Sequence, residues 1–325
     1  LVRVKKHLGT AAQTADADLV SESGGKWTTD HRLRGVAYVY VRIRWDQDKF
    51  QGIPNIRCLV RGKKCYDPRT GLDAFTEMPA LHLRDYFAAT YGLGCASGEL
   101  EDTTIATAAN TCEEWVALDG ALSITAVPEH TTDTWTTSGG YDSRIGTGDR
   151  IVLTGVPVPT GLTNGATYYL IRLDNSTYQL ASSYQNALEG VAVTFTSNGS
   201  GAQTWGTIYQ KRYTSNGTFT LDAQPASIEE PIRACMAGST VYTEGKWKVY
   251  AGAYAAPTVS IGASDLRDTL TVKPRRARRE LVNQVRGTYT DPARGWTVTD
   301  FAPVDDSTFV TQDGGEVISR SIDLA

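Results

Sequence analysis

Adjacent acidic residues are the part of this chain that comes nearest to a catalytic arrangement. Glu229-Glu230 and Asp305-Asp306 each place two carboxyl groups side by side. Glycoside hydrolysis needs two carboxyl groups that face each other across a substrate, whereas sequence neighbours in a helix or a strand point in different directions. The sequence also lacks a G-x-S-x-G elbow and a glycine-rich phosphate loop. We therefore predict no catalytic residues and interpret both pairs as helix-capping and surface charges.

The histidines and cysteines do not have the spacing of metal ligands. The four histidines lie far apart, and the five cysteines never form a C-x-x-C pair. An odd number of scattered cysteines is typical of free thiols made in a reducing compartment. We predict no metal site and no cofactor, and free thiols at Cys58, Cys65, Cys95, Cys112 and Cys235.

Composition narrows the class of protein further. The formal net charge is −4, with 41% hydrophobic and 21% charged residues, which disfavours nucleic-acid binding over the whole surface. No apolar run approaches the roughly 20 residues of a membrane span, so we expect a soluble globular chain without a stable membrane anchor. The first residues lack a Met and the apolar core of a signal peptide, and we interpret the sequence as a segment of a longer protein.

Periodicity indicates strands first and then two helices. Residues 36–45 alternate β-branched or aromatic residues with polar ones, and residues 53–67 predict one or two further strands. Residues 78–90 and 102–115 each place apolar residues on one helical face, the second helix being capped by Asp102 or Thr103.

Later segments return to strand patterns. Residues 123–205 are rich in Thr, Gly, Ser, Asn and Tyr, with short strands, among them 191–197, between turn signals, and residues 213–222 predict a further strand pair. Ser227 and Glu230 predict a helical capping box, and Glu244-Gly245 predicts the turn of a hairpin. We predict three domains, at 1–122, 123–208 and 209–325, the middle one being an insertion.

A strand-and-turn pattern occurs twice, about two hundred residues apart. Residues 56–71, IRCLVRGKKCYDPRTG, are echoed by QVRGTYTDPARG. Glycine permits a bulge or a close backbone approach, and Asp-Pro opens a turn. A structural role is therefore favoured over a binding role for the turn modules Arg61, Gly62, Asp67, Pro68, Arg286, Gly287, Asp291 and Pro292.

Five cations form the most basic run of the chain. Inter-subunit or inter-domain ion pairs, a solvated edge and DNA contact all remain open, in that order of preference. Alternate strand residues face opposite sides, so the five cannot form one patch on a strand. The run comprises Lys273, Arg275, Arg276, Arg278 and Arg279.

Aromatic residues of the predicted insertion have two interpretations. They could stack on sugars of a host surface, but Tyr and Trp are also ordinary core residues of a β-domain. The core interpretation is favoured, and the glycan-surface candidates are Trp135, Tyr141, Tyr168, Tyr169, Tyr178 and Trp205.

The run PRRARRELVNQVRGTYTDPARGW with the following DFAP, and the upstream WTTDHRLRGVAYVYVRIRWDQDKFQGIPNIRCLVRGKKCYDPRTG and PALHLRDYFAATYGLG, resemble the central tail hub (tip attachment protein J) family of long-tailed, siphovirus-type phages. The resemblance covers most of the chain but not residues 123–205, which are less specifically similar to small β-sandwich units of phage tail proteins. It implies a mainly β fold with a few α-helices, made of duplicated hub-type β-barrel domains plus an inserted small β-sandwich.

The resemblance also implies a function. Three copies would form a homotrimer at the distal end of the virion tail, made in the bacterial host cytoplasm. It would cap the tail tube, form the genome-ejection channel and carry receptor-binding parts. Expected partners are the distal tail protein, the tape measure protein and other tail-tip proteins, with the host receptor bound by regions beyond this segment and phage DNA only in transit. The alternative is a host-surface module that binds a glycan or receptor through the insertion.

Overall fold

The computed structural model describes the chain except for residues 1, 50–51, 53, 57, 59, 119–123, 139–143, 156, 255, 258, 269–270, 272–279, 292–295 and 325. It divides into two compact units, Leu1–Arg61 and Gly62–Ala325, which we describe separately. The boundary between them lies inside the first predicted domain, 1–122. We call residues 1–61 the N-terminal unit.

Strands outnumber helices in the described part of the chain, so the fold is mainly β with a few α-helices, as predicted. The helices are α1 (Ala17–Glu22), α2 (Pro79–Ala88), α3 (Asp102–Glu113), α4 (Tyr184–Glu189), α5 (Pro225–Ala234) and α6 (Ser307–Gln312). The strands are β1 (Val2–Leu8), β2 (Ala37–Ile43), β3 (Cys65–Asp67), β4 (Leu72–Ala74), β5 (Trp115–Ala117), β6 (Ile124–Glu129), β7 (Thr134–Thr137), β8 (Arg150–Thr154), β9 (Thr167–Arg172), β10 (Thr177–Ala181), β11 (Gln203–Trp205), β12 (Tyr209–Lys211), β13 (Ser239–Thr243), β14 (Lys246–Tyr250), β15 (Gln284–Asp291), β16 (Thr297–Asp305) and β17 (Ser319–Leu324).

The N-terminal unit is an antiparallel pair of strands with one short helix. β1 and β2 pair from Val2↔Ile43 to Leu8↔Ala37, which confirms the strand predicted over 36–45. Asp16 caps α1, its Oδ1 accepting the Leu19 N–H at 2.8 Å. Such a cap satisfies one of the amide groups that the first helical turn leaves unpaired.

Helices α2, α3 and α5 with strand β14 form the first apolar core of the second unit, and we call them the helical layer. α2 and α3 confirm the two predicted helices, and their buried side chains pack with those of α5 and β14. Two predicted caps are wrong. α3 begins at Asp102, so the predicted caps Asp102 and Thr103 both lie within the helix. The residue at the cap position is Glu101, and its side chain makes no cap bond. Ser227 lies inside α5, which begins at Pro225, because proline at the first position is preorganised for the helix.

Residues 124–205 close into a six-stranded barrel, ordered β11-β6-β7-β10-β9-β8, rather than the predicted sandwich. The sandwich prediction is wrong because β11 pairs on both sides: Trp205 lies opposite Ile124 of β6 and opposite Leu153 of β8. Closure removes the free edges that two separate sheets would keep. A self-contained core fills the barrel, with Trp135, Tyr178 and Trp205 among its largest buried side chains.

Two predicted strands are irregular instead. In residues 191–197 the Val193 N–H donates to Leu180 O and the Thr196 N–H to Thr160 O. In residues 213–222 the Tyr213 N–H bonds Cys112 O. These backbone groups bond to separate parts of the fold rather than to successive residues of one strand, so no ladder forms even though the local pattern favours a strand.

β13 and β14 form the predicted hairpin. Glu244 and Gly245 have positive φ angles of 56° and 75°, as a type I′ turn requires. No helix in the described ranges is long and apolar enough to span a bilayer.

A small sheet ends the described chain, in the order β16-β15-β17, and we call it the C-terminal sheet. β16 runs antiparallel and β17 parallel to β15, with a register shift between Val285 and Gly287. Asn283 fixes the entry to this sheet: its Nδ2 donates to Asp313 Oδ2 at 2.8 Å and its Oδ1 accepts the Ile318 N–H at 2.7 Å.

Candidate assembly surfaces and the barrel junction

The barrel joins the helical layer through β5 and β12, where a lysine lies between aromatic rings. Lys211 Nζ is 4.4 Å from the Trp115 ring centroid and 5.4 Å from that of Tyr184. It also donates to the backbone oxygen of Glu113 at 3.1 Å. Burial lowers the pKa of the Lys211 ammonium, and the Glu113 carboxylate opposes that shift. Cation–π contacts of this kind gain strength when water is excluded.

A tyrosine–glutamate bond crosses the same junction. The Tyr184 hydroxyl, at the start of α4, donates to Glu77 Oε2, just before α2. Asn216 Nδ2 donates to the other carboxylate oxygen of Glu77 at 2.8 Å, and the Ser215 N–H donates to Glu77 O. Burial, followed by the Glu77 charge, raises the pKa of Tyr184 well above its usual range. The barrel is therefore attached to the helical layer by side chains as well as by the chain itself.

Asp149 is a buried carboxyl group at one end of the barrel. Its Oδ2 accepts the Gly146 N–H at 2.7 Å and Gln210 Nε2 at 2.9 Å. Burial raises the pKa of Asp149 to about 7, although both donors and nearby Arg172 oppose the rise. The group holds the loop before β8 against β12, and its charge is costly in this dry environment.

His82 and Ser215 have the hydrogen bonding of a base and a nucleophile. His82 Nδ1 lies 2.7 Å from Ser215 Oγ, and Nε2 lies 3.0 Å from Thr76 O. With Nε2 protonated to donate to that carbonyl, Nδ1 accepts from the hydroxyl. Burial lowers the pKa of His82. Ser215 is itself buried, however, and the pair fastens the segment after β12 to α2.

The sheet of the N-terminal unit has one ion-paired face and one apolar face. Towards α1, Arg3 bonds Asp18 and Glu22 at 2.8 and 2.9 Å. On the opposite face, Val2 and Val4 are 53% and 58% exposed. The buried residues of the unit within its described part are polar, Gln13 and Asp16, so its apolar face has no core of its own.

The C-terminal sheet also has no apolar core of its own in the described residues. None of the apolar core clusters formed by the described residues includes a side chain of this sheet. Val298 and Val304 of β16 are 61% and 56% exposed, and Phe309 of α6 is 52% exposed. Isolated small sheets are marginally stable in water without a packed face, and contiguous exposed apolar surface marks interaction sites.

The predicted glycan-surface residues lie mostly inside the barrel. Trp135, Tyr168, Tyr178 and Trp205 are buried and present no open ring face to a sugar. Tyr169 is half-buried, its ring 5.7 Å from that of Trp115 and 6.4 Å from that of Tyr184. The sixth candidate, Tyr141, lies outside the described residues.

The two turn modules differ in structure although their sequences resemble each other. In the first, Arg61 and Gly62 precede β3 and lie in no strand, which differs from the predicted strand ending in Val-Arg-Gly. In the second, Arg286 and Gly287 lie within β15, where a Cβ on Gly287 would be 1.7 Å from Ile322 O. Only the second glycine is required by a close backbone approach.

The aspartates of both modules end a strand, and Asp67 also opens a turn. Asp67 O accepts the Gly71 N–H at 2.8 Å, and Asp291 O accepts the Trp296 N–H at 3.0 Å. Asp67 also pairs with Arg69 at 2.7 Å. Pro68 lies in the first turn, whereas its counterpart Pro292 and the whole basic run, Lys273, Arg275, Arg276, Arg278 and Arg279, lie outside the described residues.

The acidic pairs occupy separate surfaces. Glu229 accepts a hydrogen bond from Thr240, which ties α5 to β13. Asp306 caps α6, accepting the Thr308 and Phe309 N–H groups at 2.8 and 3.2 Å, so its predicted capping role is confirmed. Across the described segments, no group of three or more His, Cys, Asp or Glu side chains could hold a metal ion.

Sequence reasoning missed Glu77 and Asp149, which organise the barrel and its junction. Neither stands in a motif, because their partners are distant in the chain: Tyr184 is 107 residues from Glu77 and Gln210 is 61 residues from Asp149. The local signal for Asp149 was a Gly-x-Gly-Asp loop directly before an apolar strand.

The comparisons with known proteins add no family to this description. No protein-family model matches the chain, and no curated protein matches it.

Proposed function

We propose that this chain is a structural subunit of the tail tip of a long-tailed phage, a trimeric central tail hub. The trimer would cap the tail tube, form the genome-ejection channel and provide the platform for receptor-binding parts. It would bind the distal tail protein, the tape measure protein and other tail-tip proteins at the distal end of the virion tail.

The observation that carries the proposal is that the sheet of the N-terminal unit and the C-terminal sheet have no apolar core of their own in the described residues. The side chains of Val4 in the N-terminal unit and Val304 in the C-terminal sheet are more than half exposed. Burying one such side chain fully contributes about 1.5–3 kcal/mol. Subunits of permanent assemblies obtain this stabilisation at large, apolar interfaces.

An assembled ring would also complete the predicted duplicated barrels. The described strands near the two turn modules form a two-stranded hairpin, β3–β4, and the open C-terminal sheet. Open sheets leave backbone groups available to strands of neighbouring chains. Two related barrels in each of three chains would give a pseudo-sixfold ring, which suits a sixfold tube. Opening would then be a change between two packed arrangements of the subunit interfaces.

A reconstruction of the intact particle by cryo-electron microscopy tests the proposal. Three copies surrounding the distal channel of the tail are expected. Density only on peripheral fibres would refute the hub function and favour the host-surface module.

Removal of the barrel separates the two functions. Ala117 lies opposite Tyr209 in the β5–β12 ladder, so residues 118–208 can be replaced by a two-residue Asn-Gly turn. A structural hub should still trimerise and form tails after this excision. A host-surface module should form tails that no longer attach to cells.

A further inference from the structure

An acidic, partly apolar cleft lies where the C-terminal sheet meets α6. It has a volume of about 580 Å³ and is lined by Val282, Val285, Val304, Asp305 and Phe309, together with the polar residues beside them. Apolar clefts with a few polar groups are ordinary binding surfaces. The described sheet and helix leave its valine and phenylalanine side chains partly in water.

The charge around the cleft is negative. Asp305 and Asp306 line it, and Asp313 accepts a hydrogen bond from the lining residue Asn283. No lysine or arginine in the described part of the chain pairs with Asp305. Acidic residues outnumber basic ones across residues 284–324. A partner for this surface must therefore offer positive charge as well as apolar contact.

The chain itself contains a segment of that chemistry. Residues 273–279, KPRRARR, carry five cations around an alanine and a proline. Because seven extended residues span at most about 25 Å, several of these cations can reach one acidic surface. Only Glu280 and Leu281 separate the run from Val282, so most of its cations could meet their own cleft only if the chain doubled back. A neighbouring chain has no such restriction.

We propose that the cleft of one copy binds the basic run of a second copy, in a head-to-tail contact that closes into a ring. This inference rests on the proposed function, whose trimer it supplies with a specific interface. Two different surfaces in contact form a closed ring when the rotation between copies closes. Charge pairs at the rim set the register, and the valines and Phe309 supply apolar burial.

The test uses the whole chain and matched variants on β16. Asp305→Asn is compared with Asp300→Asn, an exposed aspartate of the same strand that does not line the cleft. The trimer dissociation constant is measured by analytical ultracentrifugation in 0.1 M and 1 M NaCl. Asp305→Asn should weaken each contact about threefold, as for the loss of a rim ion pair, and therefore raise the overall dissociation constant of a ring with three contacts roughly thirtyfold. Asp300→Asn should leave the dissociation constant unchanged. Raising the salt to 1 M should weaken association of the parent chain more than it weakens association of the Asp305→Asn variant.

Cross-linking identifies the occupant of the cleft. Cys58→Ser and Cys235→Ser first remove the two exposed thiols. Chains with Val304→Cys are then mixed with differently tagged chains with Arg276→Cys and treated with a short bis-maleimide. A link between the two tags is expected. Absence of a link between the two tags, while a separate chain carrying both substitutions links within itself, would overturn the proposal.

The outcomes distinguish this inference from the hub function. If the chain forms trimers, but Asp305→Asn leaves their dissociation constant unchanged and no link forms between the two tags, the cleft contact is refuted while the trimer stands. If the chain stays monomeric and unlinked at every concentration, the cleft contact is refuted, and the reconstruction of the particle then decides the hub function separately.

Discussion

Replacement of Asp149 by asparagine should remove a pH-dependent weakness of the barrel. In the folded protein burial raises the pKa of this carboxyl group from its ordinary 3.8 to about 7. The folded state therefore holds a proton that the unfolded state releases between those values. Stability from this group is complete below about pH 4 and is lost as the pH rises to about 7.

The size of the effect follows from the same values. Each pH unit between the two pKa values changes the free energy of unfolding by about 1.4 kcal/mol. The contribution of Asp149 to the free energy of unfolding therefore changes by about 4 kcal/mol over the whole range. Raising the pH from 5 to 8 should lower the free energy of unfolding by about 3 kcal/mol. Asparagine is uncharged throughout, and its carbonyl can accept the hydrogen bonds from Gly146 and Gln210. Asp149→Asn should therefore match the parent near pH 4 and exceed it at pH 8.

Urea titration monitored by tryptophan fluorescence measures this directly. Trp135 and Trp205 are fully buried in the barrel core, so their emission reports its unfolding. Asp174→Asn is the matched control. Hydrogen bonds from the Ser176 and Thr177 backbone lower the pKa of exposed Asp174, so its contribution to stability falls at low pH instead. An Asp149→Asn variant that keeps the parent's pH slope, or is weaker at pH 8, would refute the reasoning.

Three further predictions concern the junction, the sheet and the thiols. Tyr184→Phe removes the hydrogen bond from the tyrosine hydroxyl to the half-buried Glu77 carboxylate and should lower the free energy of unfolding by about 1.5–3 kcal/mol in the same assay. No change would mean that the bond adds no net stability. Gly287→Ala should disrupt the C-terminal sheet, whereas Gly62→Ala, with open space around its Cβ, should not; equal hydrogen exchange of the sheet amides in both variants would contradict this. Maleimide should label exposed Cys58 quickly at pH 8. Cys112 is buried, and burial raises the pKa of its thiol to about 11, so it should react only after unfolding. If mass spectrometry finds both thiols labelled in the native protein, the core opens.

Local patterns were sufficient for the elements whose partners lie close in the chain. The two helices over 79–88 and 102–113 and the hairpin at Glu244-Gly245 follow from 3.6-residue periodicity and turn chemistry. The predicted strands at 191–197 and 213–222 failed because a strand needs a ladder partner, and tertiary contacts gave those backbone groups other partners.

The sequence by itself determined the mainly β class, the positions of the principal helices, and a middle region distinct in composition from its surroundings. Only the tertiary structure decided that this region closes into a barrel, since closure depends on β11 pairing with two strands at once. It also decided that four candidate sugar-binding aromatics fill a core and that Glu77, Asp149 and Lys211 meet their partners. These contacts join residues about 60 to 110 positions apart. Periodicity reports the face of an element, not the element that will cover it.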